Sequence, residues 1–162
     1  MNHELEISRA VDREDLAHAL ALAEQWVAEA PEADAAWGKL AHVHEMRDDL
    51  VKASHAVAEA LRILPDHPPY LFEQGYIAYR LGHYAQAEGA FGLCIEKSET
   101  AHDGFYLDAA RIARARCLVL DGRPSLAADV IADAAADSAT WLDGRFTKAD
   151  VLNSIPGAKT KY

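Results

Sequence analysis

Cysteine, clustered basic residues and long apolar runs are what this sequence has least of, and each shortage removes a class of protein. Two cysteines, Cys94 and Cys117, among 162 residues are too few for a disulfide framework, and neither stands in a CxxC or Cys/His zinc spacing. Both lie in alanine-rich, helical-looking surroundings, where a free thiol behaves as a small hydrophobe. Buried thiols in a reducing compartment are therefore expected. The 16 Lys and Arg are scattered among 26 Asp and Glu, for a formal charge of −10. Such a surface repels phosphate, and the only basic grouping is the loose ending GAKTKY at 157–162, so nucleic acid is excluded as a partner. No apolar run approaches the roughly 18 residues of a membrane span. The opening MNHELEISRA has neither the basic nor the apolar region of a signal peptide. A soluble, cytoplasmic chain that keeps clear of membranes is the expectation.

Catalytic signatures are missing as well. There is no G-x-S-x-G elbow, no G-x-x-x-x-G-K-[ST] loop and no G-x-G-x-x-G turn. His42 and His44 form an H-x-H pair, but two residues apart on a helix is about 200° of rotation, so they face opposite ways and do not chelate together. The carboxylates of EAPEAD and RDD read as solvated helix-end residues, where acidic groups favour the dipole. No catalytic residue, metal site or cofactor is expected.

What is present is a repeat. Apolar residues recur at three and four, as on amphipathic helices, and strand-like alternation is absent. Ala53, Val57, Ala60 and Pro65 have Ala19, Ala23, Trp26 and Pro31 34 positions before them, and Ala87, Phe91 and Cys94 34 positions after. A further 40 positions on come Ala127, Ile131 and Ala134, with Gly82 falling on Gly122. Helices are predicted near 4–11, 13–29, 34–46, 49–63, 68–81, 84–97, 104–120 and 124–137, with an irregular loop or extended first turn around KSETAHDG. The small–large–small pattern implies helix pairs that cross closely. Gly75 and Ala87 let the backbones approach, Phe91 fills the space beside the crossing, and Gly82 closes the first helix. Each pair leaves an apolar face that its neighbour must cover. Thr147 is a predicted N-cap for a helix near 148–154, and Trp141, Phe146, Val151 and Leu152 are the candidates to cover the open end.

A period of 34 with helix–turn–helix content resembles the tetratricopeptide repeat. The resemblance runs over about residues 12–139. It is best in the unit 34–67, with Trp37, Leu40, Ala41, Ala53, Val57, Ala60 and Pro65, followed by 68–101 with Leu71, Gly75, Gly82, Tyr84, Ala87, Phe91 and Cys94. His44 stands where the family commonly has an aromatic, Gln74 where it has Leu, and Arg111 and Arg114 where it is apolar. The resemblance implies an all-α fold: a right-handed superhelical stack of antiparallel helix pairs in one domain. Its units would be about 1–33, 34–67, 68–101 and 108–140, with a cap at 141–162.

It also implies a non-catalytic interaction module, an adaptor or scaffold whose first helices line a concave groove for a partner segment. Read onto this sequence, the groove positions include His42, Glu45, Phe72, Tyr76, Tyr79, Arg80, Ile112 and Arg116. The family's carboxylate-gripping Lys, Asn and Arg are replaced here by Gly38, His42, Phe72 and Tyr76, so an apolar or aromatic-anchored peptide is the expected partner. Two alternatives stay open. One is a likeness to secretion chaperones that bear these repeats and hold translocator peptides. The other is an oligomerisation module, using Leu5, Ile7 and Val11 or the Trp141/Phe146 tail, or a helical accessory part of a larger enzyme.

Overall fold

The computed structural model describes residues 2–156, so the basic ending at 157–162 lies outside the described residues. The chain divides into two compact units, Met1–Tyr70 and Leu71–Tyr162. Among the described residues no helix is long and apolar enough to cross a membrane.

The first unit holds α1 (His3–Asp12), α2 (Leu16–Glu29), α3 (Asp34–Met46) and α4 (Leu50–Ile63), and α5 (Pro68–Arg80) begins at its end. Asn2 caps α1 by accepting from the Leu5 N–H, and Asp15 caps α2 by accepting from the His18 N–H. The core of this unit is built mainly from small residues. Ala19, Ala23, Ala36, Ala41, Ala53 and Ala60 are wholly buried beside Val43, Val57 and Ile7. Small buried side chains are what allow successive helices to approach closely, as the repeat pattern requires. Trp37 spans a turn and donates its Nε1–H to the Pro31 carbonyl at 2.8 Å. The H-x-H pair splits as the helical period demands, with His42 exposed and His44 buried.

In the second unit, α5 is followed by α6 (Tyr84–Ala101), α7 (Leu107–Leu120) and α8 (Pro124–Ile131). A hairpin of β1 (Ala139–Trp141) and β2 (Arg145–Thr147) comes next, and α9 (Lys148–Ser154) ends the element order. Phe91 is wholly buried, and a methyl group on Gly75 would stand 2.7 Å from its ring. The ring occupies the volume that the missing side chain leaves, so the small and large residues are two halves of one contact. Arg111 and Arg114, on positions where the repeat is usually apolar, are accommodated by ion pairs. Arg114 reaches Glu88 at 2.6 Å, and Arg111 reaches Glu99 at 2.8 Å and Asp108 at 3.1 Å.

Four turns at the repeat spacings share one backbone solution, which the end of α6 at His102 uses as well, Asp103 returning to Ser98. Glu14, Asp48, Gly82 and Gly122 all have positive φ, between 60° and 77°. At each, the next residue's N–H returns to a carbonyl five residues back: Asp15 to Ala10, Asp49 to His44, His83 to Ala78 and Arg123 to Leu118. These are Schellman turns, which satisfy the last carbonyls of the helix, and they carry the spacings of the sequence, 34, 34 and then 40 residues, into the backbone.

Four expected boundaries move by three residues or more. The helix expected from 13 begins at Leu16, because Glu14 turns the chain and Asp15 caps the helix. The helix expected to end near 97 continues to Ala101 and closes on His102 in the left-handed region (φ 55°). Thr100 Oγ1 donates to the Glu96 carbonyl at 2.8 Å within this added stretch, so α6 absorbs part of the insertion. The next helix begins at Leu107 rather than 104, after a turn in which the Phe105 N–H donates to Asp103. The helix expected to run to 137 stops at Ile131. The segment after it is captured instead by side chains. Asp108 accepts from the Ala135 N–H at 3.0 Å and the Ser138 hydroxyl at 2.7 Å. Lys148 Nζ donates to the carbonyls of Ala132 and Ala134 at 2.7 and 2.6 Å.

The expected cap is present with one correction. Thr147 and Asp150 form a reciprocal capping box at the start of α9. Val151 and Ile155 are buried against Ile112, Leu118, Ala127 and Ile131, with Phe146 and Leu152 packed beside them. Trp141, however, is 69% exposed and covers nothing. In strand β1 it points away from the face that Thr140, its buried neighbour, turns inward.

Candidate partner-binding face

Helices α5 and α7 are the first helices of their pairs in the second unit and carry six of the eight residues picked out by the groove positions. Their side chains divide by burial. Ile112 is wholly buried and Tyr79 only 5% exposed, so both are core residues of this unit and their apolar surface is spent on internal packing. Phe72 is half-buried in a cluster of rings, 5.2 Å from both Phe91 and Tyr106. The reason is its neighbourhood: the ring that fills the space over Gly75 also receives the edge of Phe72. Burial pushes the Tyr106 hydroxyl pKa up, and the Glu73 carboxylate adds to the effect.

Tyr76, Arg80 and Arg116 remain partly open. Tyr76 and Arg80 are one helical turn apart, so they lie on one face. Arg80 Nη1 donates to the Tyr76 hydroxyl at 3.1 Å, with its guanidinium carbon 5.7 Å from the ring centre. This contact holds a long, flexible cation in one orientation beside a ring, an arrangement suited to both apolar contact and charge recognition.

The hairpin lies against this face. The Tyr79 hydroxyl donates to Asp143 Oδ1 at 3.1 Å, and the Arg116 guanidinium stands 4.7 Å from the centre of the Phe146 ring. Burial raises the Tyr79 pKa; the Asp143 charge works in the same direction and Arg116 against it. A phenol that stays protonated remains a donor to the carboxylate. Asp143 and Phe146 therefore join the candidate site, although no groove position pointed to Asp143. The signal for them was the D-G dipeptide flanked by Thr140–Trp141 and Arg145–Thr147, which is a hairpin pattern.

In the first unit, His42 and Glu45 lie on α3, with Nδ1 of His42 3.8 Å from Oε2 of Glu45. That is within ion-pair range and beyond a hydrogen bond. At the other candidate surface, the N-terminal trio splits: Ile7 is buried, whereas Leu5 is 44% exposed.

No protein-family model matches the sequence, and no curated protein matches it. Solved structures do. A crystal structure of MamA aligns with a TM-score of 0.71 at 16% identity, covering 81% of this chain and 70% of that one. A kinesin light chain protein of Podosopora anserina with nearly identical TPR-like repeats aligns with a TM-score of 0.69 at 17% identity, covering 79% and 68%.

Proposed function

We propose, on the premise that this chain is an all-α, tetratricopeptide-like helical repeat protein, that it is a non-catalytic interaction module, an adaptor that holds a protein segment on the first-helix face of its second unit. The observation that carries this reading is the Tyr76–Arg80 pair, polar-tipped, half-buried and held together on α5, while the apolar packing of that helix is already supplied by Leu71, Gly75, Ile77, Ala78 and Tyr79. Tyrosine and arginine are the residue types that concentrate binding energy at interfaces. Arg116 on α7 extends the same chemistry. His42 and Glu45 on α3 hold the corresponding face of the first unit.

A partner segment suited to this face presents apolar or aromatic surface with acceptor groups for Arg80 and Arg116. The test immobilises the chain and a Tyr76→Ala/Arg80→Ala variant, passes host lysate over both, and identifies retained proteins by mass spectrometry. Phe72 is left intact because its ring is part of the Phe91 cluster and its loss would disturb folding. A partner held by the wild type and weakened by about 1–3 kcal/mol in the variant supports the reading. Equal retention by both moves the binding face elsewhere.

A further inference from the structure

We infer that the β1–β2 hairpin is an intramolecular occupant of the first-helix face of the second unit, standing where a partner peptide with a carboxylate and an aromatic ring three residues apart would bind. The inference rests on the reading of that face as the partner site, and it names both the peptide chemistry and the element that competes with it.

Capping alone does not explain where the hairpin lies. The apolar side of α7 and α8 is already closed by Val151 and Ile155, which join Ile112, Leu118, Ala127 and Ile131 in one buried cluster. The hairpin tip reaches beyond that cluster to Tyr79 on α5 and Arg116 on α7. It meets them with a ligand's chemistry: a carboxylate from Asp143 for the phenol, and the face of Phe146 for the guanidinium.

The fit is also incomplete in ways that favour exchange. Thr140 Oγ1 and Arg116 Nε are buried without a hydrogen-bond partner among the described residues, and unpaired buried polar atoms are costly. A second acceptor from an incoming peptide would relieve the arginine. The sheet consists of two three-residue strands, and a two-stranded hairpin is marginal by itself. Its largest side chain, Trp141, is 69% exposed and adds little to docking. Buried Leu142 and part-buried Phe146 hold it down. Beyond the strands the backbone is firmly tied, at Ser138 by Asp108 and at the Thr147–Asp150 capping box. The eight residues between, 139–146, can therefore lift while both flanks stay fixed.

The test uses the full chain and a labelled peptide of the hairpin's own sequence, acetyl-ATWLDGRFT-amide, followed by fluorescence anisotropy. A control peptide has Ala in place of its Asp and Phe. The tethered hairpin competes at a high effective concentration, so wild type is expected to bind the peptide weakly. Asp143→Ala, which removes the internal carboxylate from an exposed loop, is expected to bind it about tenfold more tightly or better. That gain is expected to vanish with the control peptide and in Asp143→Ala/Arg116→Ala. Bound peptide should also speed hydrogen exchange at the Leu142 amide, which closes the hairpin tip onto Gly144, and leave the Lys148 amide of the fixed flank unchanged. Equal binding of both peptides, or no gain in Asp143→Ala, overturns the proposal. Should it be overturned while lysate partners still depend on Tyr76 and Arg80, the partner-binding face stands and only the hairpin's role in it is wrong.

Discussion

Both units seat an aromatic ring on a glycine, and the two contacts differ in what the ring is able to do. In the first unit a methyl group on Gly38 would stand 2.6 Å from Cε1 of Tyr70, whose hydroxyl donates to Asp34 at 2.8 Å. In the second, a methyl group on Gly75 would stand 2.7 Å from the Phe91 ring, which is wholly buried. The distances are nearly equal, yet only Tyr70, which is part-buried, has room to shift, against the hold of its bond to Asp34. Equal crowding therefore has unequal consequences. Gly75→Ala is expected to destabilise the chain by about 1–3 kcal/mol, because the overpacked core must strain or shift as a whole. Gly38→Ala is expected to stay within about 1 kcal/mol of wild type, the helix-propensity gain of alanine offsetting the displaced tyrosine. Urea denaturation of the two variants side by side measures this. Similar losses in both would show that ring mobility does not govern the contact.

Much of this contrast could be read from residue types and spacing. Gly75, Ala87 and Phe91 are placed by the repeat, and so are the positive-φ turns, since residues 34 and 40 positions apart adopt the same backbone. The capping box at Thr147 was visible as well. What the repeat could not reveal is how a groove residue is used. Tyr79 and Ile112 fall on groove positions by count, yet helix α5 turns Tyr79 inward, where it meets Asp143 from 64 residues away. That contact depends on the path of the chain after Ile131, and the path is set by Asp108, Arg111 and Lys148 catching backbone groups. Such long-range polar capture leaves no period in the sequence. The hairpin itself was signalled locally by its D-G turn, but alanine-rich residues 132–137 read as continued helix and hid it.

A second difference between the units concerns acid. His44, buried in the first unit, occupies the position held by Ala78 and Leu118 in the second, where the carbonyl accepts the turn's long hydrogen bond. Burial lowers its pKa below the ordinary 6.5, and Lys52 and Arg47 act in the same direction, while Asp49 and Glu24 oppose them. The unfolded imidazole then takes a proton near its ordinary pKa and the folded one only at lower pH. Within that window the unfolded state binds more protons, so stability is complete above the window and falls as pH drops through it. Denaturation midpoints measured from pH 7.5 down to about 5 should fall more steeply for wild type than for His44→Ala. Exchange-resolved loss should centre on α3 and α4. Parallel pH profiles for the two proteins would remove His44 as the source.

The smallest expected effect lies in the turns themselves. At the two inter-helix turns of the second unit that match the repeat, the left-handed residue is glycine, Gly82 and Gly122, and nothing lies within 4 Å of where either Cβ would be. The first unit places Glu14 and Asp48 there, at φ 60° and 61°. A side chain in that region costs roughly 1–2 kcal/mol from its own carbonyl contact, so these turns of the first unit carry a strain that the matching turns of the second avoid, where only His102 at the end of α6 takes it on. Exposed Glu14 is the cleaner position to relieve. Glu14→Gly removes the steric cost but adds freedom to the unfolded chain, leaving a net gain of about 0.5–1 kcal/mol. In a chain of this size that raises Tm by about 1–4 °C. The converse change, Gly82→Ala, installs the same strain in the second unit and should lower Tm by a comparable amount, since no neighbour is touched. If Glu14→Gly lowers Tm instead, the glutamate contributes more through its stiffer unfolded backbone than it loses in the turn. The two units would then differ in residue without differing in strain.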